Sequence, residues 1–246
     1  MRCEMKPRNA AVAVAAAVCL LVSREALSQG SWEFLGPGIG YQPTALCVTE
    51  HAVYVGMAEN EHYSGHGLFR YRFAEAQWDL LAFGGSRITG IAVWGAVDET
   101  LVVARYDDTP PGRSYIMRST DGGATWTSTF ESAYEYLRGM IQAPSDPLHL
   151  IVLDSTWYST NGGGTWAFSH RVDTPANIHG AAFDPANANV AYMTLTTDVM
   201  APLIEKTTDG GANWSRSCFP CLTLLSGVAV NRSRTDQVMA GQSVST

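Results

Sequence analysis

Short apolar segments that alternate with polar residues recur along this chain, separated by turn-forming residues. The first set comprises 45–48, 52–55, 67–71 and 77–81, with Phe73-Ala74-Glu75-Ala76 as the last turn. An alternation of period two predicts β-strands with one face buried. Comparable sets of four occupy 88–128, 140–168 and 181–216, and no segment shows the periodicity of a helix. The pattern therefore predicts an all-β chain built from units of four short strands.

One eight-residue stretch occurs three times, near the end of three of these units. It reads STDGGATW at 119–126, STNGGGTW at 159–166 and TTDGGANW at 207–214. The oxygen of Asp121, Asn161 or Asp209 can accept backbone N–H bonds of a turn, and the glycine pair supplies positive φ. The tryptophan (Trp126, Trp166 or Trp214) then brings a large apolar surface to the core. Because Asn161 stands where the other copies have Asp, the turn needs an acceptor and not an acid.

The spacing of the units identifies the fold. Trp78, Trp126, Trp166 and Trp214 are 48, 40 and 48 residues apart. Repeats of this length with several strands each predict a β-propeller. The pattern Ser/Thr-x-Asp-x-Gly-x-x-Trp resembles the Asp-box, or BNR, repeat of sialidase-type propellers, sortilin-like ectodomains, xyloglucanase-type glycosidases and photosystem assembly propellers. The resemblance covers roughly 31–246 and implies the fold, but not an activity, because one fold hosts many functions.

The number of blades depends on how the chain closes. A fifth unit begins with strands at 227–230 and 237–241, and 242–246 aligns with 156–160 as its third strand. Trp32-Glu33-Phe34-Leu35 resembles the strand that follows a box. We expect about five four-stranded antiparallel blades closed by this N-terminal strand, which removes exposed sheet edges. The alternative is a fragment of a larger propeller.

The N-terminus has the features of a secretory signal peptide. Arg2, Lys6 and Arg8 precede the apolar run 10–22, and Ala26-Leu27-Ser28 has the small-x-small form of a cleavage site. We therefore expect a signal peptide at 1–28, a propeller domain at 29–246, and a secreted or periplasmic protein. Export permits disulfides, but three cysteines remain (Cys47, Cys218 and Cys221), so at least one is unpaired within the chain. Either Cys218 and Cys221 form a local disulfide or both are thiols.

Composition excludes some classes of partner. The chain is 46% hydrophobic and 10% aromatic, enough for a sizeable core, and its formal net charge is −7. An acidic chain argues against nucleic acid or an anionic membrane as its main partner. No other apolar segment is long enough to span a bilayer.

Candidate binding residues follow from the topology of four-stranded blades. Loops that join second to third strands, and last strands to the next blade, share one face, opposite the box turns. These loops carry the candidate binding residues Glu59, His62, Tyr63, His66, Arg113, Tyr134, Tyr136, Arg138, His170 and Arg171. His62 and His66 do not indicate a metal site, because a spacing of four aligns two imidazoles only on a helix. We expect neither a metal nor a cofactor.

Three functions are compatible with this chain. The first is an exported non-catalytic propeller that serves as a protein- or glycan-binding scaffold module. The second is a BNR, xyloglucanase-like glycoside hydrolase, which needs two carboxylates flanking the scissile bond; the candidates are Asp107, Asp108, Glu135 and Asp173. The third is a factor similar to the photosystem assembly propellers. Sialidase activity is disfavoured, because the Phe-Arg-Ile-Pro segment of sialidases is absent and Leu68-Phe69-Arg70-Tyr71 is better interpreted as a strand.

Overall fold

A computed structural model describes residues 41–59, 65–107, 109–133, 137–153, 155–171, 177–196, 202–218 and 224–243. Across these ranges the regular secondary structure is β-strand, in agreement with the all-β prediction. The predicted signal peptide, its cleavage site and the Trp32 segment lie outside the described residues, so those expectations stay predictions.

The first two sheets each contain four antiparallel strands in sequential order. Sheet 1 consists of β1 (Tyr41–Val48), β2 (Ala52–Glu59), β3 (Gly65–Arg72) and β4 (Gln77–Ala82). Sheet 2 consists of β5 (Arg87–Trp94), β6 (Thr100–Asp107), β7 (Arg113–Ser119) and β8 (Thr127–Ser132). Leu68-Phe69-Arg70-Tyr71 is therefore part of the third strand of sheet 1, as predicted.

The next two sheets repeat this order, and a fifth follows with two described strands. Sheet 3 consists of β9 (Gly139–Ala143), β10 (Asp146–Leu153), β11 (Ser155–Ser159) and β12 (Ala167–Arg171). Sheet 4 consists of β13 (Asn177–Asp184), β14 (Asn187–Thr196), β15 (Pro202–Thr207) and β16 (Ser215–Cys218). Sheet 5 consists of β17 (Leu224–Val230) and β18 (Val238–Ser243).

One detail of the fifth unit differs from the sequence alignment. Gln242 and Ser243 were expected in a third strand, but they continue β18, where they pair with Leu225 and Leu224 of β17. The connection between β17 and β18 is longer than the corresponding turns of sheets 3 and 4, which displaces the second strand along the chain. Alignment by spacing alone does not detect such a shift.

The core lies between neighbouring sheets, and the strand patterns follow from this position. Leu101, Val102 and Val103 of β6 are each 0% exposed, because an inner strand is covered on both faces. The outer strand β8 is instead exposed or half-buried along its whole length. One apolar cluster joins Ala92 and Ile116 of sheet 2 to Leu150 and Val152 of sheet 3, and similar clusters join sheets 1 and 2, and sheets 3 and 4.

The first strands of successive sheets contact one another closely at glycines. A Cβ built on Gly90 of β5 lies 2.6 Å from Met140 Cβ of β9, and one built on Gly180 of β13 lies 2.9 Å from Gly227 Cα of β17. Real Cβ atoms do not approach so closely, so these positions accept only glycine without a shift of the backbone. Gly90 and Gly180 therefore mark where one blade meets the next.

Candidate functional site

The three box turns are built as the sequence predicts. The Oδ1 atom of Asp121, Asn161 or Asp209 accepts the backbone N–H four residues later at 2.8 to 2.9 Å. Both glycines of each box have positive φ, for example 69° at Gly122 and 90° at Gly123. The equal geometry of Asn161 and the two aspartates supports a capping role in all three copies.

Sequence reasoning missed the part that the first box residue plays. The hydroxyl of Ser119, Ser159 or Thr207 accepts the N–H of the second glycine at 2.9 Å and donates to the Asp or Asn oxygen at 2.7 to 2.9 Å. These hydroxyl residues are 0 to 2% exposed. The signal was present in the sequence, because Ser or Thr occupies this position in every copy.

The boxes lower the pKa of their aspartates. Hydrogen bonds from the Thr125 side chain and backbone, and from Ser119, lower the pKa of Asp121 to about 2. The Asn213 side chain and backbone lower the pKa of Asp209 in the same way. Such carboxylates are held ionised as acceptors and are poorly suited to donate a proton in catalysis.

The box tryptophans connect neighbouring sheets. Trp166 Nε1 of the box in sheet 3 donates to Thr129 Oγ1 on β8 at 3.2 Å, and Trp214 Nε1 of the box in sheet 4 donates to Ser169 Oγ on β12 at 3.0 Å. In both cases the acceptor lies three residues after the tryptophan of the preceding unit. Trp126 instead donates to Gly123 O within its own box, at 3.0 Å, because Leu81 occupies the corresponding position of β4.

The two ends of the sheets carry different connections. Gly122 N donates to Glu99 O, Gly162 N to Leu148 O and Gly210 N to Asn189 O, each at 2.9 Å, which places the box turns beside the connections of first to second strands. We call this end the box face. The opposite end, with the second-to-third and blade-to-blade connections, is the loop face, where the candidate binding residues were predicted.

Several of those candidates cannot be placed. Seven lie outside the described residues: His62, Tyr63, Asp108, Tyr134, Glu135, Tyr136 and Asp173. Four others have a described backbone at the loop-face end of a strand, but no described side chain: Glu59, His66, His170 and Arg171. Their assignments stay predictions.

Asp107 and Arg113 do lie on the loop face, and both have local partners. Asp107 Oδ1 accepts the backbone N–H of Thr109 at 3.0 Å, and the Thr109 bonds lower the pKa of this carboxyl. Arg105 Nη1 lies 3.8 Å from the other Asp107 oxygen, and Arg113 Nη1 pairs with Glu131 Oε1. The arrangement of Asp107 is that of a turn cap, and a lowered pKa is the opposite of what a general acid requires.

Arg105, which no sequence pattern singled out, connects this region to the core. Its Nη1 donates to Ser86 Oγ at 2.7 Å, and its guanidinium carbon lies 4.4 Å from the Tyr115 ring centroid and 5.3 Å from that of Phe83. Phe83 in turn packs against Trp126 of the box, with ring centroids 4.8 Å apart. Arg105 extends an apolar strand toward the loop face, and its position inside a strand hid it from an analysis of loops.

A row of polar residues lies at the loop-face ends of the first strands of the sheets. Bulges interrupt the first strands at Thr44, Thr89 and His179, and Arg138 directly precedes β9 at the corresponding position. Each residue except Thr44 is followed by the glycine that contacts a neighbouring blade. Thr44 Oγ1 donates to Ile88 O at 2.6 Å, and His179 Nε2 lies 2.7 Å from Thr196 Oγ1. Bulges of this kind re-aim side chains and are frequent beside binding sites.

Neither a metal centre nor a membrane span is found within the described ranges. No group of three or more metal-ligating side chains occurs there. None of the described elements is a helix of the length and apolarity that crossing a bilayer demands. Cys47, also described, is a free thiol whose pKa burial raises to about 11.

No protein-family model and no curated protein matches this sequence, but solved structures match its fold. An ancestral GH74 enzyme is 19% identical with a TM-score of 0.64, over 83% of this chain and 29% of that enzyme. YCF48 from Cyanidioschyzon merolae is 12% identical with a TM-score of 0.55, over 86% of this chain and 74% of YCF48. YCF48 bound to D1 peptide is 10% identical with a TM-score of 0.54, over 80% of this chain and 60% of that protein.

These similarities establish the architecture. The chain has a β-propeller fold made of four-stranded antiparallel sheets. It spans less than a third of the length of the ancestral GH74 enzyme. At such low identities the comparison shows the fold alone, and function has to be argued from the site.

Proposed function

We propose that this protein is a non-catalytic propeller that binds a peptide or glycan at its loop face. The observation that carries the proposal is the row of polar residues at the loop-face ends of successive first strands, of which Thr44, Arg138 and His179 are exposed. Adjacent first strands contact each other, so the row crosses several blades. A ligand that spans these blades meets Thr44 of sheet 1, Arg138 of sheet 3 and His179 of sheet 4, whereas Thr89 of sheet 2 is buried and donates to Ala104 O.

The carboxylates of the loop face support binding over hydrolysis. Asp107 caps a turn and lies near Arg105, and Glu131 is paired with Arg113. A glycosidase needs one carboxyl with a raised pKa to protonate the leaving group. Asp107 gives the reverse, because hydrogen bonds from Thr109 lower the pKa of its carboxyl.

Both ligand classes have a precedent in the fold. One solved propeller of similar fold is bound to a peptide, and others are GH74 enzymes. The acidic charge of this chain favours ligands without a high negative charge density over nucleic acid. The glycoside hydrolase and the assembly factor remain the alternatives that an experiment has to separate from a binding module.

The test is a binding and turnover panel with the purified mature protein. Peptides, β-glucans and sialosides are titrated by calorimetry, and each sugar is assayed for hydrolysis. We expect a ligand that binds without turnover, and His179→Ala and Arg138→Ala should each weaken it about tenfold through loss of one charged or polar contact. Thr160→Ala, an exposed residue of the box face, is the matched control.

Other results would contradict the proposal. Hydrolysis of a glucan that disappears in Asp107→Asn, Asp108→Asn, Glu135→Gln or Asp173→Asn would establish the glycoside hydrolase. Binding that survives both loop-face substitutions but not a box-face substitution would move the site to the opposite end. Hydrolysis of a sialoside would show that the sequence argument against sialidases is wrong.

A further inference from the structure

A polar cavity lies on the box face, away from the proposed ligand-binding loops. Its volume is about 240 Å³, and it is lined by Arg118, Thr120, Thr125, Thr127, Thr129 and Gly164. Five of these residues belong to sheet 2, and Gly164 belongs to the box of sheet 3. The cavity therefore sits in the groove between two blades.

The internal repeat shows what is unusual about this cavity. In sheet 1, Arg70 occupies the position of Arg118 and forms an ion pair with Asp79 at 3.0 Å. In sheet 2 the residue that pairs with Arg118 across the strands is Thr127, which stands where sheet 1 has Asp79. Within the described ranges no carboxylate lies within 4.0 Å of the Arg118 guanidinium. One blade thus neutralises its arginine internally and the next does not.

A hydrogen bond from Nε holds the guanidinium of Arg118 in place. Arg118 Nε donates to Gly162 O at 2.9 Å, as Arg70 Nη1 donates to Gly122 O at 3.3 Å in the preceding sheet. This contact fixes the guanidinium beside the cavity and leaves the two terminal nitrogens as donors. Two parallel N–H donors of one guanidinium match the two oxygens of a carboxylate or sulfate.

Not all of the threonine hydroxyls are available to a ligand. Thr125 Oγ1 donates to Asp121 Oδ2 at 2.6 Å, and Thr129 Oγ1 accepts from Trp166 and lies 3.3 Å from Ile116 O. Thr120 and Thr127 are exposed and make no hydrogen bond to another described residue through their hydroxyls. Asp121 is the nearby negative charge, but its oxygens already accept bonds from Ser119 and Thr125.

We propose that this cavity binds an acidic saccharide unit, with its carboxylate or sulfate on Arg118 and its hydroxyl groups on Thr120 and Thr127. The volume is several times the roughly 30 Å³ of a water molecule, so it has room for more than an inorganic ion. A lining of hydroxyls and one guanidinium offers hydrogen bonds to a sugar and one charge to its acidic group. The site is independent of the loop face, and neither proposal depends on the other.

The test measures binding to the full mature chain by titration calorimetry. The probes are a glucuronate-containing oligosaccharide, a sulfated oligosaccharide, a neutral oligosaccharide of equal length and inorganic sulfate. We expect the acidic saccharides to bind and the neutral one to bind at least about tenfold more weakly, since a hydrogen-bonded charge contributes on that scale. Inorganic sulfate alone should compete at high concentration, because it shares the anionic group.

Two variants examine the arginine in different ways. Thr127→Asp rebuilds the Arg70–Asp79 pair of sheet 1 within sheet 2, so it should fold with an unchanged or higher Tm and lose the acidic ligand. Arg118→Gln removes the charge directly and should also lose it. Lys206→Gln changes the equivalent position of sheet 4 and is the matched control, which should bind as the wild type does.

The proposal is overturned by any of three results. The first is wild-type affinity in both Thr127→Asp and Arg118→Gln with their Tm values unchanged. The second is equal binding of the neutral oligosaccharide, which would show that the charge is irrelevant. The third is binding of inorganic sulfate when neither acidic oligosaccharide binds, which would reduce the cavity to a simple anion site. If no peptide or glycan binds at the loop face but the acidic saccharide still binds at this cavity, only the function proposed for the loop face is refuted.

Discussion

At the scale of single residues, the box is a set of hydrogen bonds that can be satisfied by more than one residue type. Asp121 and Asn161 have the same partners, and Asn161 Nδ2 donates to Thr165 Oγ1 at 2.8 Å where Asp121 accepts from Thr125. The box therefore requires an oxygen acceptor at its third residue. The threonine four residues later donates to the second oxygen of Asp121 but accepts from the amide nitrogen of Asn161. A negative charge at this position is not required for the turn.

This equivalence predicts the outcome of changing Asp209. Asp209→Ala removes the acceptor of Asn213 N and should lower the free energy of unfolding by about 1 kcal/mol, as for other side-chain caps. Asp209→Asn keeps that acceptor and should cost much less. Urea unfolding of the two variants checks this, and equal losses would show that the charge itself stabilises the box.

The lowered pKa of Asp121 predicts a dependence on pH. Its folded-state pKa is about 2 against an ordinary 3.8, so its contribution to stability is complete above about pH 4 and is lost as pH falls toward 2. Asp121→Asn does not titrate at this position. The Tm of the wild type should thus fall relative to that of Asp121→Asn between pH 4 and pH 2, and parallel curves would contradict the assignment.

The two glycines of a box make different demands on the chain. Gly122 has φ of 69° and no atom within 4 Å of a built Cβ, whereas Gly123 has φ of 90° and a built Cβ 2.9 Å from Leu81 of sheet 1. Gly122→Ala should cost about 1–2 kcal/mol for the left-handed backbone alone. Gly123→Ala should cost more, because Leu81 also has to move. Unfolding free energies that are equal for both variants would contradict the close contact.

At the scale of elements, the outer strands join one blade to the next through a hydroxyl. Thr129 on β8 and Ser169 on β12 each accept the indole N–H of the following box. Trp214 has Gly211 O as a second acceptor at 3.2 Å, whereas the one acceptor recorded for Trp166 among the described residues is Thr129. The contact between sheets 2 and 3 therefore depends more on a single side chain than the contact between sheets 3 and 4 does.

Removing the Thr129 hydroxyl should weaken the contact between sheets 2 and 3. Thr129→Val keeps the volume and leaves Trp166 Nε1 without its acceptor, which should lower the free energy of unfolding by about 1 kcal/mol. Thr160→Val, at an exposed position of the box in sheet 3, is the control and should change it little. Urea unfolding followed by tryptophan fluorescence reports the effect, and an unchanged midpoint would show that solvent replaces the hydroxyl.

Sequence reasoning succeeded where one residue type has one structural reason. The glycine pairs, the capping oxygens and the tryptophan spacing each express a local demand, so they located the turns and the repeat. Arg105 and the polar residues at the bulges were harder, because their importance depends on which strands become neighbours in space. The missing partner of Arg118 became visible only when strand register placed Thr127 opposite it.

At the scale of the whole molecule, the question is what covers the outer edge of sheet 5. β18 pairs with β17, and no other described strand lies beside it. Sheets 1 to 4 each have four strands, and an exposed edge strand invites pairing with other chains. The repeat therefore predicts that further strands complete sheet 5 beyond β18, and Trp32-Glu33-Phe34-Leu35, which has the sequence of a strand that follows a box, is predicted as the last of them.

Hydrogen exchange tests this prediction of closure. If the N-terminal segment completes sheet 5, the amides of β18 should be protected about as strongly as those of β7, because both are then interior to a sheet. Deleting residues 29–40 should speed exchange in β17 and β18 while leaving β5 to β7 unchanged, since blades contact mainly their neighbours. Fast exchange of β18 that the deletion does not alter would contradict closure by this strand. Protection that survives the deletion would instead assign the covering strand to another segment and favour a larger propeller.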